Sequence, residues 1–431
     1  MKRYLNKYAI RTALFEGLPE SNLGISIVIP TRNEQTLHQL ISSLSICEKP
    51  GCSVEIVVVI YSWEADKPEV TETNKRTLAF CQAWQRISDR ALQVHVYHCD
   101  RLPNKFSGRS LALKIGMDEA LRRFDLVNNP RGLIVPMNAD STVSLNFLVG
   151  LAAHFKSNAD SDGCSIRYQY PSFGTECPAE VYQDALYREL HLRYCNQALR
   201  YTGFPFAFHI CDSAWAVAAE AYAKQGGIDK HHADASLRFL NKIMLLENFT
   251  ELNDVLIFLS PKRLSDPAGS MVRTERRFRG DTAHSHFTYD IRSFIELRNF
   301  FKNIPELYFS GAPLHTLGDT TSYTVMEFLS AYFFDERISE IRRNSGSITS
   351  FERRFFRWFN TLMVFKYLDF VRDNAIAATR TDRSALEFLR VVEYGSPAQI
   401  NSLSDLLEAF RKLDAQSHRA GWLVLSDSDR S

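Results

Sequence analysis

The sequence predicts an α/β protein, a mostly parallel sheet flanked by helices, followed by a mainly helical C-terminal region. Two patterns carry that expectation. Up to Asp140, short β-branched apolar runs alternate with stretches whose apolar residues recur at helical spacing, as in a parallel sheet covered on both faces. Beyond about residue 288 only the helical spacing persists.

The elements follow in order. Residues 25–30 form a β-branched strand that ends in Pro30, and Thr31, Arg32, Asn33 and Glu34 follow as a polar loop. Apolar residues at 37, 40, 41 and 44 then mark a helix. A second strand is predicted over 54–60, a helix between 73 and 88, and a third strand over 92–97. Gly108, Arg109 and Ser110 read as a loop feeding a helix N-terminus, where free amides favour anions and Arg109 adds a charged fork. The apolar run 132–137 is a buried strand that leaves the sheet at Asn138, Ala139 and Asp140. Open α/β sheets bind ligands at that edge. Two oxygen-bearing side chains one residue apart there suit magnesium or manganese on phosphate oxygens, and a polar turn closing the strand is the plainer reading.

Farther along, 182–201 reads as an aromatic-rich helix and 207–217 as a buried piece with Trp215 in the core. Asp234 stands where it would cap a helix beginning at Ala235. His231 and His232 read as a polar loop, because adjacent residues rarely converge on one ion. Helices are predicted over 293–301, 323–341, 351–373, 384–392 and 402–413.

Composition narrows the function. The 431 residues are 45% hydrophobic and 23% charged, enough for one large domain and a smaller one. A formal net charge of +1 gives no reason to expect nucleic acid. Eight cysteines without repeated spacing indicate neither a zinc framework nor a disulfide scaffold, and point to a reduced, cytoplasmic compartment. The basic first eight residues lack the apolar run of a signal peptide, and no apolar run is long enough to span a membrane. No GxGxxG follows the first strand and no GxxxxGK[ST] occurs, which argues against dinucleotide and P-loop sites.

The order of motifs carries a resemblance. Ile-Val-Ile-Pro-Thr-Arg-Asn-Glu (27–34), Glu-Ile-Val-Val-Val (55–59), the stretch from Ser107 to Ala120, Asn-Ala-Asp-Ser (138–141), Gln-Gly-Gly-Ile-Asp (225–229) and Ala-Asp-Ala-Ser-Leu (233–237) come in this sequence. Together they resemble the family 2 glycosyltransferases of GT-A fold over roughly residues 23–265. The resemblance implies an N-terminal extension over 1–22 and a GT-A domain over 23–287, and the helical spacing beyond it marks a helical region over 288–431. It implies transfer of a sugar from a nucleotide-diphosphate sugar to an acceptor hydroxyl, with inversion and with Mn2+ or Mg2+ as cofactor. Pro30, Thr31 and Glu34 would line the nucleotide pocket. Asn138 and Asp140 would occupy the family's Asp-x-Asp position, with Asp140 the main metal ligand. Asp234 would be the catalytic base and Asp229 its substitute. Two departures stand out: Asn138 replaces an aspartate, and Tyr61 and Ser62 stand in place of the acidic pair that holds the base.

Three further features complete the reading. Arg273, Arg276, Arg277 and Arg279 could clamp a diphosphate or form a solvated charged face. In some GT-A enzymes a downstream histidine completes the cation's shell, a role open to His284 and His286. The aromatic and arginine-rich run 351–360 either packs against the rest of the protein or meets the inner face of a membrane peripherally, beside lipid-linked acceptors. The competing functional classes are a non-catalytic GT-A protein that binds a carbohydrate or protein partner, and a nucleotidyltransferase. The second should carry a glycine-rich, arginine-containing loop after the first strand, where this chain has Pro30 to Glu34.

Overall fold

The computed structural model describes residues 1–10, 13–87, 90–102, 108–211, 213–262, 286–311, 313–317, 321–395 and 400–416. The chain forms two compact units, Met1–Pro171 with Ile210–Val272, and Ser172–His209 with Arg273–Ser431.

The first unit holds the sheet. Its strands are β1 (Leu23–Thr31), β2 (Ser53–Trp63), β3 (Leu92–Leu102), β4 (Leu133–Pro136), β5 (Thr142–Val143), β6 (Gly163–Gln169), β7 (Trp215–Ala218) and β8 (Phe249–Phe258). They lie in the order β3-β2-β1-β4-β7-β6-β8-β5. The first four in that order run parallel, while β7 runs antiparallel to both β4 and β6. Nearly every residue of β1 and the first eight of β2 are buried, because strands covered on both faces need continuous apolar runs. Helices α1 (Lys2–Tyr8), α2 (Leu37–Ser45), α3 (Pro68–Ile87), α4 (Gly108–Leu126) and α5 (Phe147–Ser157) precede the second unit's long α6 (Ala179–Thr202); α7 (Ala219–Lys224) and α8 (Ala235–Met244) complete the first unit. Trp215 is fully buried, as its position predicts.

Helix α4 is the axis of this unit. Most of its side chains are buried, and the charged ones are matched inside. Arg123 grips Glu55 of β2 through Nε at 2.5 Å and Nη2 at 2.6 Å. The N-terminal segment straps along the same helix: Ile10 N donates to Asp118 Oδ2 at 3.3 Å, Leu14 N to Glu119 Oε2 at 3.1 Å, and Arg123 Nη1 to Gly17 O at 2.9 Å.

The second unit is mainly helical, as expected. It joins α6 to α9 (Ile291–Lys302), α10 (Ile304–Phe309), α11 (Tyr323–Ser330), α12 (Phe334–Arg343), α13 (Ile348–Trp358), α14 (Thr361–Asn374), α15 (Thr381–Val391) and α16 (Leu403–Ala415), with a short antiparallel ribbon of β9 (Phe287–Thr288) and β10 (Thr379–Arg380). Two long helices read from periodicity are each broken in two. Phe333 adopts a left-handed backbone at φ 54 between α11 and α12. Asn360 caps α14 by accepting from Leu362 N and Met363 N, so the helix restarts there. The aromatics Phe351, Phe355, Phe356 and Phe359 all point inward. That burial fits packing rather than a membrane face for this run.

Candidate active site

The C-terminal edge of β1 begins the site. Thr31, its last residue, pairs in register with Ile60 of β2. The Thr31 side chain is buried, and its hydroxyl has no hydrogen-bond partner among the described residues. An unmatched buried hydroxyl costs free energy, so this atom is suited to a ligand's polar group. Beyond it the chain is tied to the end of β2. Arg32 makes a two-point ion pair with Asp66, which also accepts from Trp63 N at 2.8 Å. Burial alone would raise the Asp66 carboxyl, but the Arg32 and Trp63 bonds outweigh it and hold the group below its ordinary range. Asn33, left-handed at φ 52, donates its N–H to Asn74 Oδ1, and Asn74 reaches back to Tyr61 O. Glu34 turns toward α2 instead: it accepts from Thr36 N at 2.8 Å and Thr36 Oγ1 at 2.6 Å. It lines a cavity of about 500 Å³ with His38, Thr73, Arg76 and Phe80.

Next to β1, β4 supplies the second part. Val28 pairs with Pro136, and Met137 N donates to Val28 O, so β4 leaves the sheet beside Val28, three residues before the end of β1. The chain then turns at once, with Ser141 N and Oγ both donating to Asn138 O. Asp140 is almost wholly buried within that turn. Arg109, in the first turn of α4, donates through Nη2 to Asn138 Oδ1 at 2.7 Å. Gly108, the first residue of α4, leaves room for Trp63: a Cβ there would stand 2.5 Å from the Trp63 ring. Arg109 and the Asn138–Asp140 turn, read separately in the sequence, are therefore one cluster.

The loop bearing the expected base reaches the same place. Ser110, next to Arg109, donates from Oγ to His232 O at 2.8 Å. In that loop Asp229 Oδ1 accepts from His231 N at 2.8 Å, and His232 Nε2 lies 3.5 Å from Asp229 Oδ2. Asp234 occupies the N-cap position of α8 but makes no capping bond. Its Oδ1 accepts from Arg238 Nε at 2.9 Å, one turn along, and both side chains are partly exposed.

One carboxylate escaped the sequence reading. Asp100 stands near the end of β3, accepts from Ser62 Oγ at 2.8 Å, and is 66% exposed. The predicted third strand stopped at 97, which left Asp100 in a loop. The strand runs to Leu102, so an exposed acid lies one strand away from the missing pair after β2. His286 sits in the second unit, 3.3 Å from Asp184 Oδ1 and stacked on Tyr187 at 3.8 Å. Arg276, Arg279 and His284 lie outside the described residues.

Among the described residues no group of three or more His, Cys, Asp or Glu is placed to share a metal ion. The donor set at the edge is one carboxylate, Asp140, and one amide, Asn138, whose oxygen already accepts from Arg109. Such a set fits magnesium-type binding, in which one or two carboxylates hold the ion and substrate phosphates and waters complete its shell.

No protein-family model matches the chain, and no curated protein is significantly similar to it in sequence. Among solved structures it is similar to residues 1–349 of S. aureus TarS in complex with UDP-GlcNAc, at 14% identity over 91% of this chain and 90% of that one, with a TM-score of 0.39. The same fragment in complex with UDP aligns at 13% identity over the same shares, with a TM-score of 0.38.

Proposed function

We propose that this protein is a GT-A-type glycosyltransferase that moves a sugar from a nucleotide-diphosphate sugar to an acceptor hydroxyl at the C-terminal edge of the first unit's sheet. One observation supports this reading above the others. Arg109 bonds Asn138 while its neighbour Ser110 bonds the loop that carries Asp229 and Asp234, so a phosphate-seeking cation and candidate bases border one edge.

Breaking the anomeric bond sends negative charge onto the leaving diphosphate, so catalysis needs fixed positive charge there and a base beside the acceptor oxygen. Arg109, at the start of α4, supplies a guanidinium suited to phosphate oxygens together with the helix's free amides. Thr31 offers its unmatched hydroxyl to the bound nucleotide. Asp140 would hold a divalent cation, which when bound supplies further charge on the diphosphate. Asp234, oriented by Arg238, takes the proton from the acceptor hydroxyl as the oxygen attacks the anomeric carbon and the diphosphate departs. A single displacement of this kind inverts the anomeric centre. Asp100, held by Ser62, offers a hydrogen-bond acceptor for the nucleoside end.

Thermal unfolding against UDP-, GDP-, CMP- and TDP-sugars, with and without manganese, tests the proposal. Ligand at 100 times its dissociation constant stabilises the folded state by about 2.7 kcal/mol. One nucleotide class is expected to raise Tm, more so with manganese, and Asp140→Ala to abolish the manganese dependence. A non-catalytic carbohydrate- or partner-binding role is favoured by one feature, the neutral Asn138 bonded to Arg109. It predicts no shift with any donor.

A further inference from the structure

A polar stripe runs along one side of α4. Ser110, Lys114 and Asp118 are spaced four residues apart, hence one above the other on the same face, and all three are buried. Buried charge is expensive unless it is matched, and each of these groups is matched by something outside the helix. Ser110 bonds the backbone of His232. Lys114 Nζ donates to the Tyr4 hydroxyl at 2.6 Å and lies 3.2 Å from Asp118 Oδ2. Asp118 Oδ1 accepts from the hydroxyls of both Tyr4 and Tyr222 at 2.8 Å. Tyr4 is therefore the residue through which the N-terminal helix α1 enters the stripe.

The same phenol touches the loop. Gly227 is left-handed at φ 67, and a Cβ on it would collide with the Tyr4 hydroxyl. Burial and the charge of nearby Lys230 lower the Lys114 pKa, while Asp118 and Asp229 oppose them, which places this ammonium within electrostatic reach of Asp229 in the loop. The 226–234 loop is thus held at one end by Tyr4 against Gly227 and farther along by Ser110 against His232. An apolar interior would satisfy folding alone. A stripe of matched polar groups fixes one register between α1, α4 and the loop.

We infer that Tyr4 is a positioning residue for the 226–234 loop, and that α1 is a working part of the acceptor side of the site, not an appendage preceding it. Tyr4 touches no reacting atom. It acts through Lys114 and Gly227 on the loop that carries Asp229 and Asp234. The consequence for turnover rests on the transfer reading; the consequence for the loop does not.

Amide hydrogen exchange on the full chain tests the loop directly, comparing wild type, Tyr4→Phe and Lys114→Met. Tyr4→Phe keeps the ring and removes only the hydroxyl, so folding is retained. Peptides covering 224–236 are expected to exchange about ten-fold faster in Tyr4→Phe while peptides of β1 and β2 are unchanged, because loss of one hydrogen-bonding group loosens what it anchors locally. Unchanged exchange over 224–236 would overturn the inference, and so would a uniform rise across the sheet, which would mean a merely structural tyrosine. With a donor that binds, Tyr4→Phe is expected to lower kcat for donor hydrolysis or transfer about ten-fold and to leave donor affinity unchanged. Unchanged kcat in spite of a loosened loop would remove the positioning role. Should no donor bind the wild type, the transfer reading fails while the exchange result still decides what Tyr4 holds.

Discussion

The two units use charge in opposite ways. In the second unit Glu189, Arg193 and Asp414 are at most 2% exposed. Arg193 joins Glu189 to Asp414, Arg411 donates to both oxygens of Glu189, and Gln197 and His209 complete Asp414. At the sheet edge of the first unit three acids stand open while Asp140 is buried in its turn: the side chains of Asp234, Asp229 and Asp100 are 25%, 42% and 66% exposed. A sealed network is tied to its own fold and has no spare face for a ligand. Exposed acids of this kind contribute little to folding and can exchange water for substrate. Chemistry belongs to the second kind of place.

Mutations should separate the two places by size of effect. Arg193→Met leaves two buried carboxylates without their shared partner, and is expected to lower the unfolding free energy by about 3–5 kcal/mol in urea melts. A cost below about 1 kcal/mol would mean that the network is not sealed in solution. Its pH response has a definite sign. Burial alone would raise the Asp414 carboxyl, but His209 and Arg193 drive it far below the ordinary aspartate value. Stability from this group is therefore present above that ordinary value and lost as pH falls through the acid range. Melts of Asp414→Asn should show a shallower acid limb.

Glu352 of α13 sharpens the contrast from the other direction. It is buried, and burial pushes its carboxyl up from 4.5 to about 7. Between those values the folded state keeps a proton that the unfolded chain has released, so stability falls as pH rises across that window and the penalty is complete above it. Glu352→Gln is expected to raise stability at pH 8 by up to about 3 kcal/mol and to change little at pH 4, read from paired melts. The smallest stability effect belongs to the open site. Asp234→Asn should shift unfolding by only about 0.5 kcal/mol, the worth of an exposed pair one turn apart, while donor binding survives and transfer is lost. Retained transfer would take Asp234 out of the base role.

Much of the fold was legible. Strands β1, β2 and β4 announce themselves because burial on both faces demands unbroken β-branched runs, α6 by its long aromatic-rich stretch, and α8 by Asp234 standing just before it. Strands β6 and β8 were passed over, since Arg167 and Gln169 in one and Asn253 and Asp254 in the other interrupt the apolar pattern. Asn360 and Phe333 broke helices whose periodicity ran on through them. At the site, motif order pointed to Arg109, Asn138 and the 229–234 loop separately, but no local pattern could reveal the Arg109–Asn138 or Ser110–His232 bonds across long sequence separations. Tyr4 was invisible for the same reason: its partners stand more than 100 residues away.

The most direct test of the account is calorimetric titration of UDP, GDP, CDP and dTDP into wild type, Arg109→Gln and Glu352→Gln. One nucleotide is expected to bind wild type and Glu352→Gln alike, and to bind Arg109→Gln at least about ten-fold more weakly, the cost of a lost charge-assisted contact. Equal affinity for wild type and Arg109→Gln would contradict a diphosphate site at the edge of this sheet.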